Sequence, residues 1–544
     1  MGRGRPDHRS LGGAARREPP QLRRRHLGAA GGGCTARRRA SALARALCFV
    51  VVLDVGSSSV KGALYDERAR LVPGTLAREA SPIHTRPDGA TEGDPAALVM
   101  RVEKVLDRVM ALAGRRAARV RAVGLDVLTI TLCGVDAGGE PLTPLYTYAD
   151  DRSQDDVVAL RRELDAAAIY QRTGCPLHTA YLPARFRWLR RTQPRLFGSV
   201  RRWLDAGTLL HRRWFGRDTP MSYSVASWSG LLDRRRLRWD QGLLAVLPVD
   251  EGRLPRLADY VEAPRGLARR FARRWPALAE AAFFLGVGDG AAANVGSGCV
   301  DPRRLALTVG TTGALRVVLP GPDPDVPSGL WAYRVGQRET LLGGAFSEGG
   351  SVFAWETDTL RLPPPARIEA ALRTLPPDGH GLTVLPFLAG ERSPGFAPGA
   401  RACIAGLTSA TTPLQILQAG LESVCYRFAL VARLVRPHLA ARYEIVASGG
   451  ALARSPYWVQ LMADVLEHPV LVSREAELTS RGAAILAWRG LGQWASLDAV
   501  GLKLPRACVP EPKRSEIYRE AIERQRGLYD RVILDTNAAR SAPR

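Results

Sequence analysis

Two aspartates flanked by small residues, Asp54 and Asp289, and two hydroxyl-rich turns far apart in the chain are the residues best suited to chemistry. In VVLDVGSSSVKGALYD (51–66) Asp54 is the one charge in the apolar run before the turn. A carboxylate buried at a strand end is costly unless a cation or hydrogen-bond donors satisfy it. Gly56, Ser57, Ser58 and Ser59 lack bulk, so their backbone N–H groups can face an anion closely while the hydroxyls add donors. The stretch is either an ordinary hairpin with a polar turn or a phosphate site. ALTVGTTGALRVVL (306–319) repeats it: Thr308 falls on Asp54, Gly310 on Gly56, and Thr311 and Thr312 on Ser57 and Ser58. The repeat favours two like-built domains whose hairpins face each other across a cleft.

Asp289 stands between Gly288 and Gly290 at the end of FFLGVGDGAAANVGSG (283–298), where an apolar strand gives way to small residues opening a helix. An aspartate there either caps the helix or, facing a cleft, acts as a general base. Further on, Gly449 and Gly450 follow a strand. Two glycines at such a place let adenine or ribose lie on the backbone, with a helix N-terminus next.

The elements that must position these groups are legible from periodicity. A helix over 96–113 is apolar at Leu98, Val102, Val105, Leu106 and Val109. Two strands follow, broken by a turn at 136–139. A long amphipathic helix spans 414–434, and a small-residue helix at 480–492 is expected to pack behind the Gly449 turn. A terminal helix over 514–533 should dock through the rings of Tyr518 and Tyr529.

The length suits two domains plus tails, with a hydrophobic fraction of 46% for their cores. A formal charge of +24 raises nucleic acid as a partner, but residues 1–48 hold twelve arginines against Asp7 and Glu18. The rest of the surplus is scattered and almost wholly arginine, so nucleic acid is not expected as a partner. Eight cysteines show no metal-ligand spacing, which reads as reduced thiols in a cytoplasmic protein. No apolar run is long enough to span a membrane. The arginine-rich lead reads as a disordered tail or a misassigned start, because cleavage after its apolar part would remove the strand of Asp54.

Taken in order, these segments resemble the FGGY family of carbohydrate kinases over roughly 50–535, with the gluconokinase branch most similar. DVGSSSVKGALYD resembles the first phosphate motif, YADDRS the WxDxR segment, and TGCPLHTAYLPARFRWL the TGxxxxxxYxxxKLxWL segment. GVGDGAAANVGSG resembles the catalytic-aspartate motif, LTVGTTGALRVV the second phosphate motif, and ASGGALARSPYWVQLMADVL the adenosine motif. LPFLAGERSPGFAPGARACIAGLT resembles the long signature of the second domain. The GERSP form and SYSVASWSGLLDRRRLRWD are similar to gluconokinases.

The resemblance implies an α/β fold of two ribonuclease H-like domains, as in actin, Hsp70 and sugar-kinase ATPases, facing across a central cleft. They would span 49–298 and 299–535, with tails at 1–48 and 536–544. It implies ATP and Mg²⁺ as cofactors, Asp289 as general base and Asp54 holding Mg²⁺. Gly56, Ser57, Ser58, Gly310, Thr311 and Thr312 would line the phosphates, and Gly449, Gly450 and Ser455 the adenosine. Thr129, Asp150, Arg152, Asp289 and Gly290 would face the acceptor, a small sugar acid, sugar or polyol with gluconate first. A pentulose or polyol kinase of xylulokinase type and a non-catalytic ATP-binding relative with an arginine-rich nucleic-acid-binding tail are the alternatives, and a homodimer is left open. The chain departs from the family pattern at Leu128-Thr129-Ile130, where relatives carry a tripeptide with histidine. It departs again at Tyr148 for tryptophan and Arg185 for lysine. Asp126 and Thr131 either rebuild polar sugar contacts near that loop, with Thr129, Asp150 and Arg152, or are strand and loop residues satisfied by their neighbours.

Overall fold

The run FVVVLDV, rich in β-branched residues that suit a pleated surface, forms β1 (Phe49–Val55), buried along its whole length. The chain turns back at 56–58 into β2 (Ser59–Tyr65), antiparallel, with Asp54 opposite Lys61. The antiparallel side ends in β3 (Ala77–Ala80). On its other side β1 is joined in parallel by β4 (Val120–Val127), which is followed by β5 (Ala282–Phe283) and β6 (Val287–Gly288), both parallel to β4. Helix α1 (Pro95–Ala113) starts where the Asp94 side chain accepts from the N–H groups of Ala96 and Ala97. It packs closely because residue 62 is glycine: a Cβ there would lie 2.7 Å from Val105 Cγ1.

The computed structural model describes residues 48–534 apart from 398, 500, 502, 503 and 505, so the two expected tails, Cys48 aside, lie outside the described residues. A second six-stranded sheet holds β7 (Arg304–Val309), β8 (Gly313–Pro320), β9 (Trp331–Arg334), β10 (Glu339–Phe346), β11 (Glu444–Ser448) and β12 (Val470–Val472), in the order β9-β10-β8-β7-β11-β12. Here β7 takes the place of β1: it pairs antiparallel with β8 through a short turn and parallel with β11. The sequence repeat is therefore a repeat of topology. It extends to register, since Thr308 pairs with Ser448 as Asp54 pairs with Asp126.

Six further helices matter to the site: α2 (Asp289–Gly296), α3 (Gly350–Thr359), α4 (Pro413–Val435), α5 (Pro456–Leu466), α6 (Leu478–Gly490) and α7 (Pro512–Tyr529). Helix α4 opens with a capping box, Thr412 and Gln415 each accepting the other's backbone N–H. Helix α7 docks as its tyrosines imply: Tyr518 donates to Glu422 at 3.2 Å and Tyr529 to Glu391 at 2.7 Å.

Helix α6 corrects the sequence expectation. Instead of backing the Gly449 turn, it lies against β1 and β4 and crosses α2. The reason is its small residues: a Cβ on Gly482 would stand 1.8 Å from the Ala292 carbonyl oxygen, and one on Gly296 1.8 Å from that of Leu478. Only glycine on both helices permits that approach. A late segment of the chain thus completes the core of the first sheet and delivers Ser480 to Asp54. Cys133, Cys175, Cys299, Cys403, Cys425 and Cys508 are free thiols. No described helix is long and apolar enough to cross a membrane.

Candidate active site

Parallel strands end together, and here three of them end in acid. Asp54 near the end of β1 pairs with Asp126 of β4, and Val287 of β6 pairs with Asp126 from the other side. Asp289 then follows as the first residue of α2. It is half-buried, and its Oδ1 accepts the N–H of Gly290 at 2.6 Å, which leaves Oδ2 for other work. Both readings of this residue hold in part, because it opens the helix and also faces a cavity. Its flanking glycines are explained by Trp228: a Cβ at 288 would lie 2.7 Å from the indole nitrogen, and one at 290 would lie 2.9 Å from the ring.

The cavity in front of Asp289 has a volume of about 250 Å³. Thr129, Tyr148, Trp228 and Gly290 line it from the first half of the chain, and Thr308, Thr312, Arg316, Trp331 and Arg392 from the second. On the other side of the Thr311–Thr312 turn lies a larger cavity of about 660 Å³, walled by Gly310, Thr311, Gly350, Phe353, Gly450 and Ser455 among others. The turn is clamped by α3, whose Gly350 and Ser351 N–H groups donate to the carbonyls of Gly310 and Thr311 at 2.7 and 3.0 Å. Gly449 has φ +102°, and a Cβ there would lie 2.2 Å from the Val309 carbonyl oxygen. Ser455 caps α5 and also donates to Glu369 at 2.8 Å.

Electrostatics single out the same place. Burial pushes Asp54 up to about 6, with Lys61 opposing the shift. Burial also raises Asp289, opposed by its bond to Gly290 and by the nearby Arg316 and Arg392. Asp54 accepts from Ser480 at 3.3 Å, while the Lys61 ammonium, 4.0 Å away, engages Glu477 at 2.7 Å. A buried carboxylate so thinly supplied with donors, with a second acid beside it, fits a hard divalent cation, which prefers oxygen ligands.

Other expected residues lie elsewhere. Asp150 and Arg152 do not line the cavity: they pair at 2.5 Å, Arg152 also pairs with Glu92 at 2.6 Å, and its guanidinium stacks 4.6 Å over Trp188. Their polar groups are satisfied within the first half of the chain. Thr131 accepts the Ala206 N–H at 3.0 Å. On the first turn Ser57 and Ser58 are exposed and Gly56 is half-buried, and none of the three lines either cavity.

Three wall residues escaped sequence reasoning: Arg316, Arg392 and Trp331. Arg316 is buried, donates to Thr308 at 3.1 Å and leaves its Nε without an acceptor. Its signal was a lone arginine inside the apolar strand after the second turn. Arg392 sits in the GERSP loop, stacks over Tyr148 with its guanidinium carbon 5.9 Å from the ring centre, and makes no ion pair among the described residues. Trp228, Trp331 and Tyr333 form a three-ring cluster, with Tyr333 stacked 3.7 Å from Trp228 and 4.3 Å from Trp331 and the two indoles 5.5 Å apart, so aromatic contact joins the two halves at the cavity wall.

Comparison with known proteins agrees with this geometry. Residues 49–296 match the N-terminal domain of the FGGY family of carbohydrate kinases and residues 305–491 its C-terminal domain. The gluconokinase of Bacillus subtilis (strain 168) is 25% identical over 465 residues, covering 83% of this chain and 89% of that protein. The glycerol kinase of Symbiobacterium thermophilum is 30% identical over 507 residues, 88% of this chain and 98% of its own. Among solved structures, gluconate kinase from Lactobacillus acidophilus superposes with a TM-score of 0.83 at 24% identity, covering 90% of this chain and 99% of that one. Xylulose kinase from the same organism gives the same score and identity over 91% and 99%. The chain belongs to the FGGY family of carbohydrate kinases, phosphotransferases with the two-domain fold shared by actin, Hsp70 and the sugar kinases.

Proposed function

We propose that this chain transfers the terminal phosphoryl group of ATP to a hydroxyl of a small sugar acid, with gluconate the first candidate. One observation carries the reading: Asp289 and the Thr312 turn share a cavity, and the same turn walls the larger cavity through Gly310 and Thr311. A donor in the large cavity and an acceptor in the small one would meet at that turn. The two domains we assign, 49–298 and 299–535, each supply one wall.

Asp289 takes the proton of the attacking hydroxyl at Oδ2, while the Gly290 N–H holds Oδ1 and fixes the carboxylate plane. Gly310, Thr311 and Thr312 bind the phosphates through backbone N–H groups and hydroxyls, with Gly56, Ser57 and Ser58 meeting them from the opposite hairpin as the domains close. Gly449, Gly450 and Ser455 border the adenosine. Arg316, beside Asp289 and Thr308, supplies positive charge where charge develops in transfer. Asp54 would hold Mg²⁺, which when bound neutralises charge on the ATP phosphates. Closure excludes water, so that the donor is not simply hydrolysed.

An acidic acceptor is favoured by Arg392, a cation on the cavity wall that makes no ion pair among the described residues. Thr129 and Gly290 remain acceptor-side residues, while Asp150 and Arg152 act by holding the loop that presents Tyr148. The test is ADP release against gluconate, xylulose, ribulose, erythritol and glycerol, with the phosphorylated product identified by mass. Turnover with gluconate ahead of the neutral compounds is expected. A preference for xylulose, or no turnover with any of them, overturns the assignment.

A further inference from the structure

The second half of the molecule offers an internal control for the first. At equivalent positions of the two sheets, strands β7 and β11 bring together Thr308 and Ser448, whose hydroxyls hydrogen-bond at 3.1 Å. That pair is neutral and satisfied. In the first sheet the same register brings together Asp54 and Asp126, two carboxyls facing each other at hydrogen-bonding range. Asp126 is fully buried, and among the described residues nothing but the Asp54 carboxyl comes within hydrogen-bonding range of its oxygens. Paired residues on adjacent strands point to the same face of a sheet, so the row Lys61, Asp54, Asp126 runs across β2, β1 and β4 under the start of α6.

The charges there do not balance. Asp54 is surrounded by Asp126, Asp289 and Glu477, against Lys61 alone, and Lys61 already engages Glu477. Two buried carboxyls with no cation between them are costly, and nothing in the packing of β4 requires an acid: serine serves at the matching position of β11. We infer that Asp126 is a second metal-holding carboxylate, and that Asp54 and Asp126, paired across β1 and β4, together hold a divalent cation at the floor of the cleft. The inference rests on the phosphotransferase reading above and adds a residue to it.

Mn²⁺ is the probe. The full-length protein is titrated with Mn²⁺ in the presence of ADP, and free Mn²⁺ is followed by its paramagnetic resonance signal. ADP affinity without metal is measured separately. The expected result is that Asp126→Asn weakens Mn²⁺ binding by about tenfold or more, as loss of a group that tunes a metal site does, with metal-free ADP affinity unchanged. Asn keeps the shape and removes the charge. Asp126→Ser, which copies the β11 position, serves if the first variant does not fold. Mn²⁺ affinity equal to wild type in a folded variant overturns the proposal, and so does a wild-type protein that binds no Mn²⁺. Should wild type hold Mn²⁺ yet phosphorylate no acceptor, the proposed function falls while the Asp126 comparison still decides this inference.

Discussion

Replacing Arg392 by Gln removes one positive charge from the wall of the small cavity while keeping a donor of similar reach. The guanidinium is stacked over Tyr148 and makes no ion pair among the described residues, so no partner carboxylate is orphaned by the change. Two unit charges 4 Å apart interact by about 4 kcal/mol at an effective dielectric of 20. Desolvation of both groups takes back a large part, and a charge-assisted hydrogen bond nets about 1.5–3 kcal/mol. At about 1.4 kcal/mol per decade, kcat/KM for gluconate should fall roughly 10–150-fold. Glucitol has the same skeleton with a hydroxymethyl group in place of the carboxylate, so it loses no charge partner. Arg392 also acts on Asp289 through space, but that effect is common to both acceptors and cancels in their ratio. Steady-state ADP release with each acceptor, on wild type and Arg392→Gln, gives the ratio directly. An equal loss for gluconate and glucitol would refute the assignment of Arg392 to a carboxylate.

Asp289→Asn should lower kcat by about 10²–10⁴, the usual worth of a general base, with ADP binding by calorimetry unchanged; near-normal turnover would remove Asp289 from the proton transfer. Asp54, raised by burial to about 6, must ionise to hold a cation, so Mn²⁺ affinity should drop as pH falls through about 6. The same shift means that, without metal, the proton on Asp54 stabilises the fold fully below its ordinary value and that this stability is lost as pH rises through about 6. Glu356, pushed up to about 9 by burial, behaves likewise over a wider window: its stability is intact below its ordinary value of 4.5 and is lost progressively as pH rises to about 9. Glu356→Gln should flatten that slope in denaturant unfolding at a series of pH values, and an unchanged slope would assign the proton elsewhere. Gly482→Ala puts a methyl 1.8 Å from the Ala292 carbonyl oxygen, so α6 must move off α2. A loss of at least about 2 kcal/mol in urea unfolding is expected for such overpacking, and a neutral result would show that the helix crossing yields.

Much of this site was written in local sequence. The turns at Gly56 and Gly310 declare themselves because small and hydroxyl residues interrupt apolar runs, and turn chemistry is a property of adjacent residues. Asp289 between its glycines was equally plain, as were the strand of Asp54 and the amphipathic pattern of α1. The order of these segments was enough to name the family.

What no segment carries is which groups meet. Arg316 and Arg392 looked like ordinary strand and loop arginines until two halves of the chain faced each other and left both on one wall. Asp150 and Arg152 looked like acceptor ligands until Glu92, far off in sequence, was found pairing with the arginine. Helix α6 was legible as small-residue and helical, yet its partner was α2, because the depth of approach allowed by Gly296 and Gly482 depends on both helices at once. Local composition fixes turns, strands and caps through forces that act within a few residues. The charge balance around Asp54 and Asp126 is decided by parallel strand register and by a helix arriving from the far end of the chain, and only the folded chain sets those distances.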